Sequence, residues 1–198
     1  TVTGVRRVLF RSRLARGMTY KAAIAGVDLG GGKSVIIGDP RTQKSNELLE
    51  AMGRFIDGMG GKYIAGQDIG TDSHDMAVIR GKTRHVSCVH EKAGGAGDPS
   101  FATGYGVTAG IRAVLKAATG DDSLSGRRIA IQGLGHVGYH VARYCHEAGA
   151  VLIVTDVMAD PLERAREEFG ATVVGAEQIY DVDCDVFSPC STGAVLND

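Results

Sequence analysis

A glycine-rich turn with the spacing GxGxxG is the first place where residue type and spacing indicate chemistry. Its members are, in order, Gly133, Leu134, Gly135, His136, Val137 and Gly138. The turn follows a strand-like run and opens an amphipathic stretch. In that context the first glycine makes a tight turn, the second admits a pyrophosphate, and the third lets helix and strand pack closely. Asp156, 23 residues after Gly133, can accept the ribose hydroxyls and would repel a 2′-phosphate. The pattern predicts an NAD site rather than an NADP site.

Two lysines and an aspartate in the first half of the chain form a second group of candidate residues. Lys33 follows three glycines, but the run is not a phosphate loop, because Val27 stands where the first glycine of such a loop is required. A lysine beside residues without side chains can be approached closely by a substrate. Burial near a second cation, Lys21, would lower its pKa. Asp68 follows a short strand-like run, where a carboxylate can share protons with a nearby amine.

Composition limits the class of protein that carries these residues. The chain has 198 residues, of which 43% are hydrophobic and 23% charged, as in globular proteins with one ordinary domain or two small ones. The 22 basic and 23 acidic residues give no electrostatic case for nucleic acid or an anionic membrane, and no apolar run is long enough to span one. The four cysteines form no CxxC pair, and His136 and His140 lack a third ligand. We therefore expect a reduced, cytoplasmic protein without a metal site.

The elements that must position the two lysines and Asp68 lie before a surface link at residues 117–126. We predict strands over residues 34–38 and 63–65, and helices over residues 45–58, after residue 72, and over 103–118. Ser45 is the expected N-cap of the first of these helices, and Thr71 or Asp72 that of the second. Gly120 is expected to end the third.

The second half of the chain alternates strands with helices. We predict strands over residues 128–132, 151–155, 172–174 and 186–187, and helices over residues 135–148 and 161–169. Asp160 is the expected N-cap of the last helix, with Pro161 at its first position and Gly170 at its end. The βαβαβ order indicates a parallel, doubly wound sheet. We therefore predict an α/β protein: an N-terminal α/β substrate domain over residues 1–118, and a Rossmann-like NAD-binding domain over residues 119–198.

These residues lie in motifs that closely resemble the glutamate, leucine, phenylalanine and valine dehydrogenase family, above all its leucine and phenylalanine branch. The similarity runs from about Leu14 to Asp198. The matching motifs, in order, are Met18-Thr-Tyr-Lys21, Leu29-Gly-Gly-Gly-Lys33, Val35-Ile-Ile-Gly-Asp-Pro40, Asp68-Ile-Gly-Thr71, Gly97-Asp-Pro-Ser100 with Thr103 and Tyr105-Gly106, Gln132-Gly-Leu-Gly135, and Gly193-Ala-Val-Leu-Asn-Asp198.

The resemblance implies a role for each residue of the first half. Lys33 would be the catalytic lysine, Asp68 would exchange protons with the amino group of the substrate, and Lys21 would hold its α-carboxylate. Gly66 would line the pocket for the substrate side chain. The implied reaction is the NAD-dependent oxidative deamination of an L-amino acid to the 2-oxo acid and ammonia.

The same resemblance implies that Thr103 and Cys190 join the glycine-rich turn in binding NAD. The room that Gly66 leaves favours bulky or aromatic side chains, but one glycine cannot settle the choice. We favour a leucine or branched-chain substrate narrowly over phenylalanine. A non-catalytic NAD-binding module is the alternative from another class, and the presence of both lysines and Asp68 argues against it. We expect an amino acid substrate, a homo-oligomer at full length, and neither nucleic acid nor membrane as a partner.

The two ends of the chain depart from the family pattern. Residues 1–12 do not resemble it, and the sequence stops at Asp198 after four predicted strands, whereas a full dinucleotide fold has six. We therefore expect a truncated chain that lacks both terminal parts of the family fold. Such a chain would expose apolar surface and have little or no activity alone.

Overall fold

Helices account for the regular structure of the first unit, residues 1–98, in the computed structural model, which describes residues 4–191 and 196. They are α1 (Gly4–Ile24), α2 (Asn46–Asp57) and α3 (Ser73–Arg80). Ser45 caps α2 by accepting a hydrogen bond from Leu48 N, and Asp72 caps α3, both as predicted. The two helices pack around a shared core that contains Leu49, Ile56, Met76 and Ile79. This core fixes the loop that leads into α3.

The sequence patterns do not predict α1. Its first turn has no acidic residue and Gly17 lies in its interior, which lowers helix propensity. Lys21 lies in its last turn, where a cation interacts favourably with the helix dipole. None of the helices in the described part of the chain is both long and apolar enough to span a membrane.

Two strands predicted for the first unit do not form as strands. Residues 34–38 have no strand partner in the described part of the chain, and Ile37 leaves 65% of its surface exposed. The prediction of a buried strand there is wrong, because β-branched residues favour a strand only where a neighbouring strand completes the ladder. Residues 63–65 contribute a single parallel bridge, from Ala65 to Val86.

A parallel sheet organises the second unit, residues 99–198. Its elements are α4 (Ser100–Thr119), β1 (Arg128–Gln132), α5 (His136–Glu147), β2 (Val151–Thr155), α6 (Ala159–Phe169), β3 (Thr172–Val173) and β4 (Val186–Pro189). The strand order is β3-β2-β1-β4, and all pairings are parallel. The register places Gln132 beside both Thr155 and Pro189, so the carboxyl ends of β1, β2 and β4 lie at one edge. The predicted α/β class with a doubly wound sheet is confirmed.

Two helix starts in this unit differ from the prediction. Helix α4 begins at Ser100 rather than at residue 103, and α6 begins at Ala159 after the N-cap Met158. Asp160 is therefore not the N-cap, and Pro161 is the third helical residue. Proline is tolerated there because the first-turn N–H groups have no intrahelical acceptor. The predicted ends hold: Gly120 and Gly170 adopt left-handed φ values of 83° and 62°.

Along the chain, the boundary between the two units falls between Asp98 and Pro99, so that α4 belongs to the second unit. The boundary expected at residue 118 between a substrate domain and an NAD-binding domain stays a prediction.

Candidate active site

The lysine and the aspartate singled out in the first unit form an ion pair. Lys33 Nζ donates to Asp68 Oδ2, across 35 positions of sequence. The other carboxylate oxygen, Asp68 Oδ1, accepts from Ile69 N at 2.8 Å. The Lys33 side chain is 23% exposed and that of Asp68 53% exposed. The Asp68 carboxylate is therefore oriented by hydrogen bonds from Lys33 and from Ile69 N, and both side chains of the pair remain accessible to a small molecule.

The surroundings of Lys33 favour its uncharged form. Burial lowers the pKa of Lys33, and the positive charge of Lys21 lowers it further. Contact with the Asp68 carboxylate acts in the opposite sense, because an anion stabilises an ammonium. Burial and the second cation outweigh it, so the pKa of Lys33 lies below its ordinary value.

The turn that carries Asp68 is held at the start of α3. Asp68 N donates to Thr71 Oγ1 at 2.9 Å, and the same hydroxyl donates back to Asp68 O at 2.9 Å. Lys44 Nζ donates to Gly70 O at 3.3 Å and to Asp75 Oδ2 at 2.7 Å. Asp75 is buried and completes the capping box of α3 with Asp72. The ion pair of Lys44 with the buried Asp75 and the helix cap thus fix the backbone on which the Asp68 carboxylate depends.

The glycines before Lys33 serve packing as well as access. A Cβ at Gly31 would overlap Ala15 O and Thr19 of α1, and one at Gly32 would lie 2.9 Å from the Tyr63 ring. Gly30 faces open space. Close approach by a substrate therefore explains Gly30 only, and the other two glycines let the segment lie directly on its neighbours.

Gly66 lies two residues before Asp68 and is exposed. A Cβ at this position would lie 2.9 Å from Ser87 Oγ and 3.5 Å from Cys88 Sγ. Cys88 has a φ of 59°, a left-handed conformation that non-glycine residues seldom adopt. The space that Gly66 leaves is thus bounded by a hydroxyl and a thiol, which the sequence does not reveal.

The glycine-rich turn of the second unit connects β1 to α5, as predicted. Gly133 has a φ of 93° and its N–H donates to Thr155 O at 2.8 Å. A Cβ at Gly138 would overlap Gly133 O and lie 3.2 Å from Cys190 Cβ, so this glycine permits close packing of helix and strand. A Cβ at Gly135 would meet nothing within 4 Å. The backbone at Gly135 is therefore open to an incoming group.

The other members of the turn divide between core and surface. Leu134 is buried, Val137 is partly buried and His136 is exposed. Within the described residues α5 has no side-chain N-cap, so its first-turn amides are available to an anion.

Asp156 follows β2 and reaches the turn. Its Oδ2 accepts from Leu134 N at 2.6 Å, and its Oδ1 accepts from Met158 N at 2.9 Å. The sequence predicts a carboxylate at this strand end but not its bond to the glycine-rich turn. A carboxylate has lone pairs beyond these two bonds, so it can also accept hydroxyl groups. Val157, which follows, is 91% exposed and carries no charge.

Thr103 and Cys190 lie in the same unit as the turn. Thr103 is exposed on the first turn of α4, where its hydroxyl donates to Pro99 O at 3.0 Å. Cys190 N donates to Gln132 O at 2.8 Å, next to the first glycine of the turn. Burial raises the pKa of the Cys190 thiol, which stays neutral and packs rather than reacts.

The open backbone at Gly135, the amides of α5 and the Asp156 carboxylate fit the pyrophosphate and ribose of a dinucleotide. Among the residues described, no group of three His, Cys, Asp or Glu side chains could hold a metal ion. The chain therefore offers two chemical groups: an amine–carboxylate pair in the first unit and a glycine-rich turn with an open backbone in the second.

Comparison with known proteins gives two adjoining matches to one family. The Glu/Leu/Phe/Val dehydrogenase dimerisation domain matches residues 10–85, and the glutamate/leucine/phenylalanine/valine dehydrogenase domain matches residues 94–159. A leucine dehydrogenase from Thermoactinomyces intermedius is 52% identical over 186 residues, covering 94% of this chain and 51% of that protein.

Solved structures agree with this result. L-tryptophan dehydrogenase from Nostoc punctiforme is 38% identical with a TM-score of 0.71, and the match covers 100% of this chain and 55% of that one. A hetero-hexameric glutamate dehydrogenase from Thermus thermophilus, in a leucine-bound form, is 26% identical with a TM-score of 0.75, covering 94% and 51%. The chain spans about half the length of the curated relatives it matches.

Proposed function

The chain belongs to the glutamate, leucine, phenylalanine and valine dehydrogenase family, and on that premise we propose that it carries the catalytic half of an NAD-dependent amino acid dehydrogenase. The proposed reaction is the oxidative deamination of a leucine-type L-amino acid to the 2-oxo acid and ammonia. The observation that carries the proposal is the contact between Lys33 and Asp68, with burial and Lys21 lowering the pKa of the lysine. An amine with a lowered pKa beside a carboxylate suits general acid–base work at a carbon that loses nitrogen.

Lys21, Lys33 and Asp68 each have a defined task in this mechanism. Lys21, exposed at the end of α1, binds the α-carboxylate of the substrate through its positive charge. The bound nicotinamide supplies the hydride acceptor. Neutral Lys33 then removes a proton from the water that attacks the oxidised carbon. Asp68 carries that proton from Lys33 to the nitrogen, which leaves as ammonia while Lys33 takes the remaining hydroxyl proton and the 2-oxo group forms.

The cofactor proposed is NAD, held by the second unit. The turn from Gly133 to Gly138 and the start of α5 receive the pyrophosphate, and Asp156 receives the ribose. Thr103 and Cys190 complete the proposed contacts. A 2′-phosphate would meet the negative charge of Asp156, and Val157 supplies no cation to offset it.

The proposal extends to substrate, assembly and location. A leucine-type substrate is supported by the 52%-identical relative, which is a leucine dehydrogenase. A homo-oligomer is supported by the match to a dimerisation domain, and one structural neighbour, a hetero-hexameric glutamate dehydrogenase, is itself an oligomer. The four free cysteines suit the reducing cytoplasm. Residues 1–118 and 119–198 are proposed as the substrate and NAD-binding parts.

The test is an assay of the purified full-length protein with a panel of L-amino acids and NAD, followed by NADH absorbance. Lys33→Ala should abolish turnover and leave NADH binding, measured by fluorescence, unchanged. Lys62→Ala, which removes an exposed lysine of the same unit, is the matched control and should keep full activity. A Lys33→Ala variant that keeps more than about a tenth of kcat would remove this lysine from the mechanism.

A further inference from the structure

Tyr63 contacts the residues on both sides of Lys33. The Tyr63 hydroxyl and Ser34 Oγ lie 2.8 Å apart, within hydrogen-bond distance. A Cβ at Gly32 would lie 2.9 and 3.0 Å from Cδ2 and Cε2 of the Tyr63 ring. One aromatic side chain therefore holds positions 32 and 34 while leaving Lys33 to point elsewhere.

The segment that carries Lys33 needs such support, because it has little of its own. Residues 30–37 form neither helix nor strand, and their backbone makes no hydrogen bond to another described backbone group. On the side of α1, Gly31 lies directly against Ala15 and Thr19, on the helix that also carries Lys21. The side-chain contacts of Tyr63 and the packing on α1 are thus what hold the lysine in place.

Tyr63 is itself firmly anchored. It packs against the core shared by α2 and α3 and lies two residues before Ala65. Ala65 N donates to His85 O at 3.1 Å and Ala65 O accepts from Ser87 N at 2.7 Å, forming the parallel bridge of the unit. The position of Tyr63, and with it that of Ser34, is therefore set by the core.

We infer that Tyr63 is a positioning residue for Lys33, acting through the hydroxyl of Ser34 and the close contact with Gly32. The inference rests on the proposed function, since it gives Lys33 a chemical task that depends on its position. Tyr63 acts through Ser34 and Gly32, and the Lys33 amine itself bonds to Asp68.

Loss of the Tyr63 hydroxyl would act on Lys33 in a recognisable way. The charged groups that face the amine are Asp68, from the loop before α3, and Lys21, from α1. A looser segment admits water to the amine and lets it move away from Lys21. Both changes raise the pKa of Lys33 toward its ordinary value, so that the amine is protonated up to a higher pH. Substitution of a residue that only stabilises the fold would lower the melting temperature without raising the pKa of Lys33.

The decisive experiment compares Tyr63→Phe, Ser34→Ala and the double variant in the full-length protein. Each single change should lower kcat for amino acid oxidation by about two- to tenfold, the effect of one neutral hydrogen bond, with KM almost unchanged. The double variant should lose no more than one single variant, because both remove the same bond. The acid limb of the kcat–pH profile should move to higher pH. Ser34→Thr, which keeps a hydroxyl, should restore activity.

Tyr139→Phe is the matched control, since it removes a tyrosine hydroxyl that donates to Glu168 at 2.6 Å on the outer helices of the second unit. It should alter the melting temperature only. If Tyr63→Phe leaves both kcat and the acid limb at their original values, or changes them no more than Tyr139→Phe does, the positioning role is overturned.

Competitive acetylation of lysines, read by peptide mass spectrometry, gives a second measurement that needs no activity. The pH at which Lys33 is half labelled should rise in Tyr63→Phe and stay constant in Tyr139→Phe. If the unsubstituted protein oxidises no amino acid, the proposed function fails, and acetylation alone then decides the role of Tyr63. An unchanged labelling curve in Tyr63→Phe refutes that role whatever the activity.

Discussion

The third glycine of the turn allows a sharp test of the reasoning about the second unit. In Gly138→Ala the new methyl group would overlap Gly133 O and lie 3.2 Å from Cys190 Cβ, and neither neighbour is the end of a flexible side chain. Overpacking of this kind costs about 3 kcal/mol at the upper end of its usual range. Alanine recovers about 1 kcal/mol over glycine within a helix, which leaves a net loss of about 2 kcal/mol. For a unit of 100 residues this lowers the melting temperature by about 8–16 °C.

Gly135→Ala is the matched variant in the same turn. A Cβ there meets nothing within 4 Å, and the φ of −63° suits any residue. We expect the melting temperature to stay close to that of the unsubstituted protein, with a change in stability below about 0.5 kcal/mol. The methyl group occupies the space through which a pyrophosphate reaches the backbone. NADH affinity should therefore fall by at least about tenfold, or 1.4 kcal/mol.

Scanning calorimetry and NADH fluorescence titration separate the two effects. The reasoning predicts that one alanine costs stability and the other costs binding. It is refuted if Gly138→Ala has the same melting temperature as the unsubstituted protein, or if Gly135→Ala binds NADH with unchanged affinity.

Three further substitutions test the remaining contacts. Lys44→Met leaves the buried Asp75 carboxylate without its ion-pair partner and should cost about 3 kcal/mol in urea denaturation, with partial recovery in Lys44→Arg; an unchanged midpoint contradicts the pairing. Lys21→Gln removes the charge that lowers the pKa of Lys33. That pKa should rise, moving the acid limb of the kcat–pH profile to higher pH, and the KM for the amino acid should increase; a profile that does not move argues against the coupling. Asp156→Asn places an amide opposite Leu134 N, so NADH binding should weaken by about 1–3 kcal/mol while the preference over NADPH narrows. Equal discrimination before and after the change would count against Asp156 as the selecting group.

Features set by a few neighbouring residues could be predicted from the sequence. The caps of α2 and α3 at Ser45 and Asp72, and the left-handed ends at Gly120 and Gly170, depend on local hydrogen bonds and on the absence of a side chain. The structure departs from the local rule at α6, which begins at Ala159 after an N-cap without a side-chain hydrogen bond, so the start predicted at Pro161 was wrong by two residues.

The strand expected over residues 34–38 failed for a different reason. Hydrophobic β-branched residues are compatible with a strand, but a strand exists only if another segment pairs with it, and residues 34–38 have no such partner among the described residues. The same fact makes the side-chain contacts of Tyr63 necessary.

The sequence by itself determined where the glycine-rich turn lies, since the need for glycine at position 138 follows from the overlap of its Cβ with Gly133 O, only five positions away. Only the tertiary structure decided how the proposed catalytic amine is held. Lys33 meets Asp68 across 35 positions and Ser34 meets Tyr63 across 29, distances over which spacing in the chain gives no information about proximity. The segments come together through packing, because Tyr63 is held by the core of α2 and α3 and the glycines before Lys33 lie directly on α1 and on the Tyr63 ring.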